Sequence, residues 1–201
     1  MGTNPLSPKE NFARAIRCPD EEINLGAAAL YAAASEFPDL DVIAYQGRIA
    51  QFGTKVKALL PANYTNFEFV NSMHEVLFGK AGFTGDSKDY FDPGNSHLNE
   101  VIDRLKGNPV TLSIFYIEVA RVAGEKVRGI SLRKHFVVVV GTGDDRIYVD
   151  PFHNGGLLSR KECITNILGK DNVKNGDFDD LERKYLKPAS NRAILRRQLS
   201  N

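Results

Sequence analysis

The stretch GNPVTLSIFYIEVARVAG, residues 107–124, together with HFVVVV at 135–140, determines the fold class. Pro109 stands where a helix can begin without losing a hydrogen bond, and Gly124 stands where it can end. The residues between them are apolar on nearly every face, which is typical of a helix covered on most sides in the middle of a domain. The run of β-branched residues at 137–140 predicts a strand buried on both faces.

Three strands are predicted after this helix, over 127–132, 135–140 and 146–149. The turns between them are short, so neighbouring strands pair as hairpins in an antiparallel sheet. A series of helices followed by a series of strands favours an α+β fold.

The first 80 residues predict a helical layer, which begins with a capping box at Ser7 and Glu10. We predict a single domain made of this layer over 1–80, a core over 81–160 and C-terminal helices over 161–201. Helices are expected over 7–17, 19–37, 39–60, 66–78, 95–105, 109–124, 159–168 and 190–199. The last one carries Ile194, Leu195 and Leu199 at helical spacing, so this stripe should pack on the helical layer or on another chain.

Composition restricts the possible partners. The chain has 201 residues, of which 42% are hydrophobic and 25% charged, and its net charge is +1. We therefore expect neither nucleic acid, which needs a basic surface, nor a membrane, since no apolar run approaches the roughly 20 residues of a span. Cys18 and Cys163 form no C-x-x-C motif, so we expect a reduced, cytoplasmic protein without disulfides.

A histidine and an aspartate mark the ends of two neighbouring strands. His135 begins the second predicted strand, and Asp150 follows the third. We expect the two side chains to form a hydrogen bond facing the helix that begins at Pro109, as in catalytic triads, where an acid orients the histidine. Asn95 and Ser96 should line the same groove.

Three runs in this chain resemble the SirB-one family of transglutaminase-like bacterial proteins: YFDPGNSHLNEVIDRLKGNPVTLSIFYIEVARVAG from Tyr90, HFVVVV, and IYVDPFHNGG from Ile147. The resemblance is densest over 83–156. It implies a papain-like, transglutaminase-type core of a central helix and an antiparallel sheet. It also implies a nucleophilic cysteine at the helix start, with His135 as its base and Asp150 as the orienting group. This chain has Pro109 at the cysteine position.

Two functions remain open for a transglutaminase-like protein without the thiol. The first is a non-catalytic, regulatory protein that binds a protein or peptide in the former active-site groove. The second is a hydrolase or acyl-transfer enzyme in which Ser96 or Thr111 replaces the thiol and His135 removes its proton. The predicted groove residues are Asn95, Ser96, Pro109, Thr111 and His153.

The sequence favours neither a metal site nor a nucleotide site. His135, Asp150 and His153 are residue types that bind metals. No H-x-x-x-H or H-E-x-x-H spacing accompanies them, so the sequence predicts no metal and no cofactor. The glycine pairs near 141–143 and 155–156 are explained by turns rather than by phosphate binding.

Overall fold

The computed structural model describes residues 6–169 and 178–201. The α-helices within these ranges are α1 Pro8–Ala15, α2 Leu25–Ala33, α3 Val42–Leu59, α4 Asn66–His74, α5 Leu98–Arg104, α6 Pro109–Ala123, α7 Arg160–Leu168, α8 Phe178–Tyr185 and α9 Asn191–Leu199. The strands are β1 Thr84–Gly85, β2 Lys106–Gly107, β3 Arg128–Leu132, β4 His135–Val140, β5 Ile147–Asp150 and β6 Gly156–Leu158. None of these helices combines the length and the apolar character needed to cross a bilayer.

Helix α6 lies at the centre of the molecule, as predicted. It begins at Pro109 because the side chain of Asn108 accepts the backbone N–H groups of Val110 and Thr111 at 3.0 and 2.9 Å. These bonds satisfy two of the donors that a helix start leaves unpaired. The helix ends at Gly124, whose φ of +105° suits glycine. All of α6 except Arg121 and Val122 is buried.

The four longer strands form one antiparallel sheet in the order β3-β4-β5-β6. Side chains alternate along each strand between two faces. The face that carries Phe136, Val138 and Val140 joins the main core, together with residues from α2, α3, α4 and α6. The opposite face carries Val137 and Val139 and joins a second core. Burial of β4 on both faces and the α+β fold are therefore confirmed.

Several predicted boundaries are wrong. A 3-10 turn at Asp20–Glu22 precedes α2, because Asn24 caps that helix by accepting the N–H of Ala27. Helix α4 passes into a π-helical turn at Glu75–Lys80. Strand β6 and helix α8 were not predicted, and β1 pairs in parallel with β2 ahead of the main sheet.

The C-terminal helix α9 packs against the protein through part of its predicted stripe. Ile194 and Leu195 are only 1% and 2% exposed and belong to the main core, beside α2 and α6. These two residues therefore pack on the helical layer, as predicted. Leu199 is 59% exposed and does not pack on the helical layer, so for this residue contact with another chain stays a prediction.

Candidate functional site

The carboxylate of Asp150 is the centre of a cluster with two histidines. Its Oδ2 atom lies 2.7 Å from Nε2 of His135 and 2.7 Å from Nδ1 of His153. His135 begins β4 and Asp150 ends the neighbouring strand β5. Because these strands are antiparallel, the two side chains lie at the same end of the sheet. The structure thus brings together the pair that the sequence predicts and adds His153 to it.

A tight turn after β5 fixes the position of the carboxylate. Asp150 Oδ1 accepts the backbone N–H groups of Phe152 and His153 at 3.0 and 3.3 Å. The turn folds His153 back so that its imidazole reaches the aspartate three residues earlier. Asn154, with a φ of 54°, and Gly155, with a φ of 76°, then reverse the chain into β6. Both φ angles lie in the left-handed region, which asparagine and glycine adopt most readily.

The three side chains of the cluster differ in solvent exposure. The side chain of Asp150 is 5% exposed, that of His135 16% and that of His153 68%. Burial by itself raises the pKa of Asp150, but the hydrogen bonds from His135 and His153 outweigh it and hold the pKa below its usual value. The carboxylate is therefore ionised at neutral pH and can accept an N–H from each imidazole.

No nucleophile contacts His135 within the described residues. Pro109 is buried in the first turn of α6, and the hydroxyl of the fully buried Thr111 donates to Asn108 Oδ1 at 3.2 Å. The Ser96 hydroxyl accepts a hydrogen bond from Asn108 Nδ2 at 2.9 Å. These hydroxyls serve the cap of α6.

Neither cysteine replaces the missing thiol. Cys163 is fully buried in the second core, and burial raises the pKa of its thiol to about 12. A thiol with so high a pKa carries almost no thiolate at neutral pH and is inert. Cys18 is half-buried rather than buried as a small apolar side chain, and its Sγ lies 3.6 Å from the carbonyl oxygen of Ala15.

A groove of about 340 Å³ lies beside the start of α6. Its lining includes Tyr90, Phe91, Ser96, Asn108, Gln198 and Leu199. Three of the predicted groove residues, Asn95, Pro109 and Thr111, are instead buried and do not line it. His153 belongs to the cluster on Asp150. Ser96 is the predicted groove residue that lines the groove.

Aromatic rings and the end of α9 connect the groove to the histidine cluster. The ring of Tyr90, at the groove, lies 5.8 Å from that of Phe152, which lies 6.0 Å from the His135 ring. In α9, Arg197 donates to the backbone carbonyl of His135 at 2.9 Å, and Gln198 donates to that of Ser96 at 3.0 Å. The groove and the cluster are therefore neighbouring parts of one surface.

Sequence reasoning missed four residues of this surface. Asn108 could have been found, since asparagine directly before proline is a signal for a helix cap. Tyr90 and Phe91 carry a weaker signal, which is two adjacent aromatic residues in a polar loop. Gln198 carries none, because only the packing of α9 brings it to Ser96.

A larger cavity, of about 480 Å³, lies at the opposite end of α6 and is lined in part by Glu118 and Arg121. Burial raises the pKa of Glu118, against the opposing influence of Arg121. The Glu118 carboxylate also accepts the backbone N–H of Leu25 at 2.9 Å, at the start of α2. Because these contacts join two helices, we assign the pair a structural role.

The chain is similar to several known proteins. A family model described as the transglutaminase-like superfamily matches residues 43–200. A UPF0162 protein of Xylella fastidiosa strain 9a5c is 32% identical over 182 residues, which are 90% of this chain and 64% of the relative. A UPF0162 protein of Vibrio cholerae is 30% identical over 62% of this chain and 45% of its own length. The human F-box only protein 21 is 29% identical over 48% of this chain and 17% of its own length.

No solved structure matches the chain. The chain spans about two thirds of the length of the Xylella relatives and less of the others. Similarity to these proteins therefore concerns the domain described above and not the whole of any relative.

Proposed function

This chain belongs to the transglutaminase-like superfamily, and from that premise we propose that it is a non-catalytic, regulatory member that binds a protein or peptide segment in the groove beside α6. Within the superfamily we assign it to the SirB-one family, on the motifs at 90–124 and 147–156. We place its action in the cytoplasm, since neither Cys18 nor Cys163 has a disulfide partner.

The observation that carries the proposal is the residue at the start of α6. The family resemblance puts the nucleophilic cysteine at this position, and the chain has Pro109 there. Proline can cap a helix start but cannot attack a carbonyl group. The two candidate hydroxyls, those of Ser96 and Thr111, are engaged with Asn108. Among the residues that the structure describes, the pair His135 and Asp150 thus has no nucleophile to activate for acyl transfer.

The groove has the chemistry of a peptide-binding surface. Phe91 is 90% exposed and Leu199 is 59% exposed, and both line it. Exposed aromatic and aliphatic side chains beside polar groups are typical of interaction sites. An extended peptide would place its own apolar side chains against Phe91 and Leu199.

One observation favours the alternative, a hydrolase or acyl-transfer enzyme. The hydrogen bond between His135 and Asp150 leaves Nδ1 of His135 without a partner in the described part of the chain, which is the arrangement that a general base requires. A movement of the loop that carries Ser96 would be needed to bring a hydroxyl to it.

The two functions are separated by a binding and turnover experiment. The purified protein is screened against an array of short extended peptides and, in parallel, against chromogenic amides and esters. We expect peptide binding without turnover. Phe91→Ala should weaken binding about thirtyfold, the effect of losing roughly 2 kcal/mol at an interface anchor. Phe67→Ala is the matched control, because Phe67 is 54% exposed but lies on α4, away from the groove.

Two results would contradict the proposal. One is hydrolysis by the wild type that disappears in His135→Ala, since general-base catalysis is worth roughly 10²- to 10⁴-fold. The other is peptide binding that Phe91→Ala and Phe67→Ala affect equally, which would place the binding surface elsewhere.

A further inference from the structure

We infer that His135, Asp150 and His153 form a binding site for a divalent transition-metal ion, with Zn²⁺ as the best match. The sequence alone predicts no such site, because the three residues follow no metal-binding spacing. In the structure their ligand atoms, Nε2, Oδ2 and Nδ1, all lie within 4.8 Å of one another. This inference does not depend on the proposed function.

The distances fit a metal ion after a small adjustment. Each imidazole nitrogen lies 2.7 Å from Asp150 Oδ2, which is the separation of a hydrogen bond. In a tetrahedral zinc site, bonds of 2.0–2.1 Å place neighbouring ligand atoms about 3.3 Å apart. Each nitrogen would therefore move away from the oxygen by about 0.6 Å. The two nitrogens, which lie within 4.8 Å of each other, would come to a similar separation of about 3.3 Å through rotation of the side chains. On binding, the metal takes the place of the two hydrogen bonds, and each imidazole coordinates it as the tautomer that carries its proton on the other ring nitrogen.

The carboxylate is already held in the orientation that a metal ligand needs. Asp150 uses Oδ1 to accept the backbone N–H groups of Phe152 and His153, and its Oδ2 atom faces the two histidines. Ligands that accept such supporting hydrogen bonds are typical of natural metal sites. Arg197 donates a hydrogen bond to the backbone carbonyl of His135, which leaves the imidazole ring free to bind a metal. The turn after β5 therefore presents a carboxylate ligand between two imidazoles.

The identity and exposure of the ligands indicate the kind of metal. Two imidazoles and one carboxylate suit zinc and similar divalent transition metals better than Ca²⁺ or Mg²⁺, which prefer oxygen ligands. The exposed side of the cluster, at His153, leaves room for water at the remaining coordination positions. The site is thus of the open type, with three protein ligands and one position for water or for a group of a bound molecule.

A metal titration of the full chain tests this inference. The protein is stripped with a chelator, dialysed, and titrated with Zn²⁺ in competition with a chromophoric chelator. We expect one equivalent of Zn²⁺ to bind per chain and the melting temperature to rise, because the ion binds the folded state. His153→Ala should weaken binding at least about 100-fold, since loss of even a supporting group costs 10- to 100-fold. The exposed position of His153 lets this variant keep the fold.

His97→Gln is the matched control. His97 also faces a carboxylate, with Nε2 lying 3.4 Å from Glu36, but no third ligand accompanies that pair in the described ranges. We expect the control to bind Zn²⁺ as the wild type does. Substitution with Co²⁺ gives a second readout, since visible bands without a thiolate charge-transfer band would identify a nitrogen and oxygen site. Stoichiometric binding that survives His153→Ala, a thiolate band, or no binding by the wild type would each overturn the inference.

Discussion

Tyr116 carries a hydroxyl group at the centre of α6 that has no hydrogen-bond partner within the described residues. Burial raises the pKa of this phenol well above its usual value, so the group stays neutral. A buried polar group without a partner costs about 1–3 kcal/mol of stability. At the scale of a single residue, α6 therefore buries a polar group, although the sequence around Tyr116 is mostly apolar.

Tyr116→Phe is expected to stabilise the protein by about 1 kcal/mol, because it removes the unpaired hydroxyl and keeps the ring. Tyr148→Phe is the matched control and should destabilise it by about 2 kcal/mol. The Tyr148 hydroxyl donates to Glu182 at 2.6 Å in a buried position, and hydrogen bonds to charged groups are the stronger kind. Urea unfolding of both variants measures the difference. If both variants lowered the free energy of unfolding equally, the Tyr116 hydroxyl would have a hydrogen-bond partner.

At the scale of elements, the central position of α6 depends on how closely α3 approaches it. A Cβ atom at Gly53, in α3, would lie 2.4 Å from Cβ of Val122 and 2.9 Å from the carbonyl oxygen of Val119. No real Cβ atom comes this close to backbone. Glycine is therefore required where α3 crosses α6. Because glycine has no side chain, the two helices can approach this closely.

Gly53→Ala should destabilise the protein by about 2 kcal/mol, since overpacking forces the helices apart. Gly47→Ala in the same helix is the control, because a Cβ there meets nothing within 4 Å. The control should stabilise the protein by roughly 0.5–1 kcal/mol through higher helix propensity. Thermal unfolding followed by circular dichroism checks both. A stable Gly53→Ala variant would show that α3 can shift at no cost.

At the scale of the whole molecule, the sheet separates two cores, and the second core depends on one carboxylate. Glu182, on α8, accepts hydrogen bonds from Tyr148 of β5 and from Arg160 of α7 at 2.6 and 2.8 Å, and it pairs with Arg146 at 2.9 Å. Burial alone raises its pKa, but the hydrogen bonds from Tyr148 and Arg160 hold the pKa of Glu182 below the usual 4.5. The charged carboxylate of Glu182 therefore holds α7 and α8 against the sheet.

This pKa predicts the direction of the pH dependence. Because the carboxyl group binds its proton less readily in the folded state, its stabilisation is present above pH 4.5 and is lost as the pH falls through the folded-state pKa. Glu182→Gln should lower the free energy of unfolding by about 2 kcal/mol at pH 7. The gap between variant and wild type should close in acid.

Asp180→Asn is the control for this titration, because Asp180 is on the same helix in an exposed pair with Arg183. Exposed pairs contribute little, so the variant should follow the wild type at every pH. Denaturant unfolding from pH 3 to pH 8 provides the comparison. A constant gap between Glu182→Gln and the wild type across that range would show that the Glu182 charge does not support the second core.

The sequence by itself determined the elements whose signals are local. Capping boxes at Ser7 and Ser159 begin helices where predicted, and the apolar residues of 109–123 form the central helix. The run at 137–140 forms a strand buried on both faces, and the antiparallel order follows from short turns. Each of these features depends on residues only a few positions apart, so the pattern along the chain contains the necessary information.

Tertiary structure decided what depends on distant residues meeting. Strand β6 has only three residues and exists because Asp150 pairs with Gly156, and α8 is a highly charged helix held by contacts of Glu182 with α7 and β5. The groove is lined by Gln198, from the far end of the chain, rather than by Asn95 or Thr111. His153 reaches Asp150 only through the turn between them. These contacts depend on side-chain direction and on how helices pack. Neither can be read from the period or the spacing of residues in the sequence.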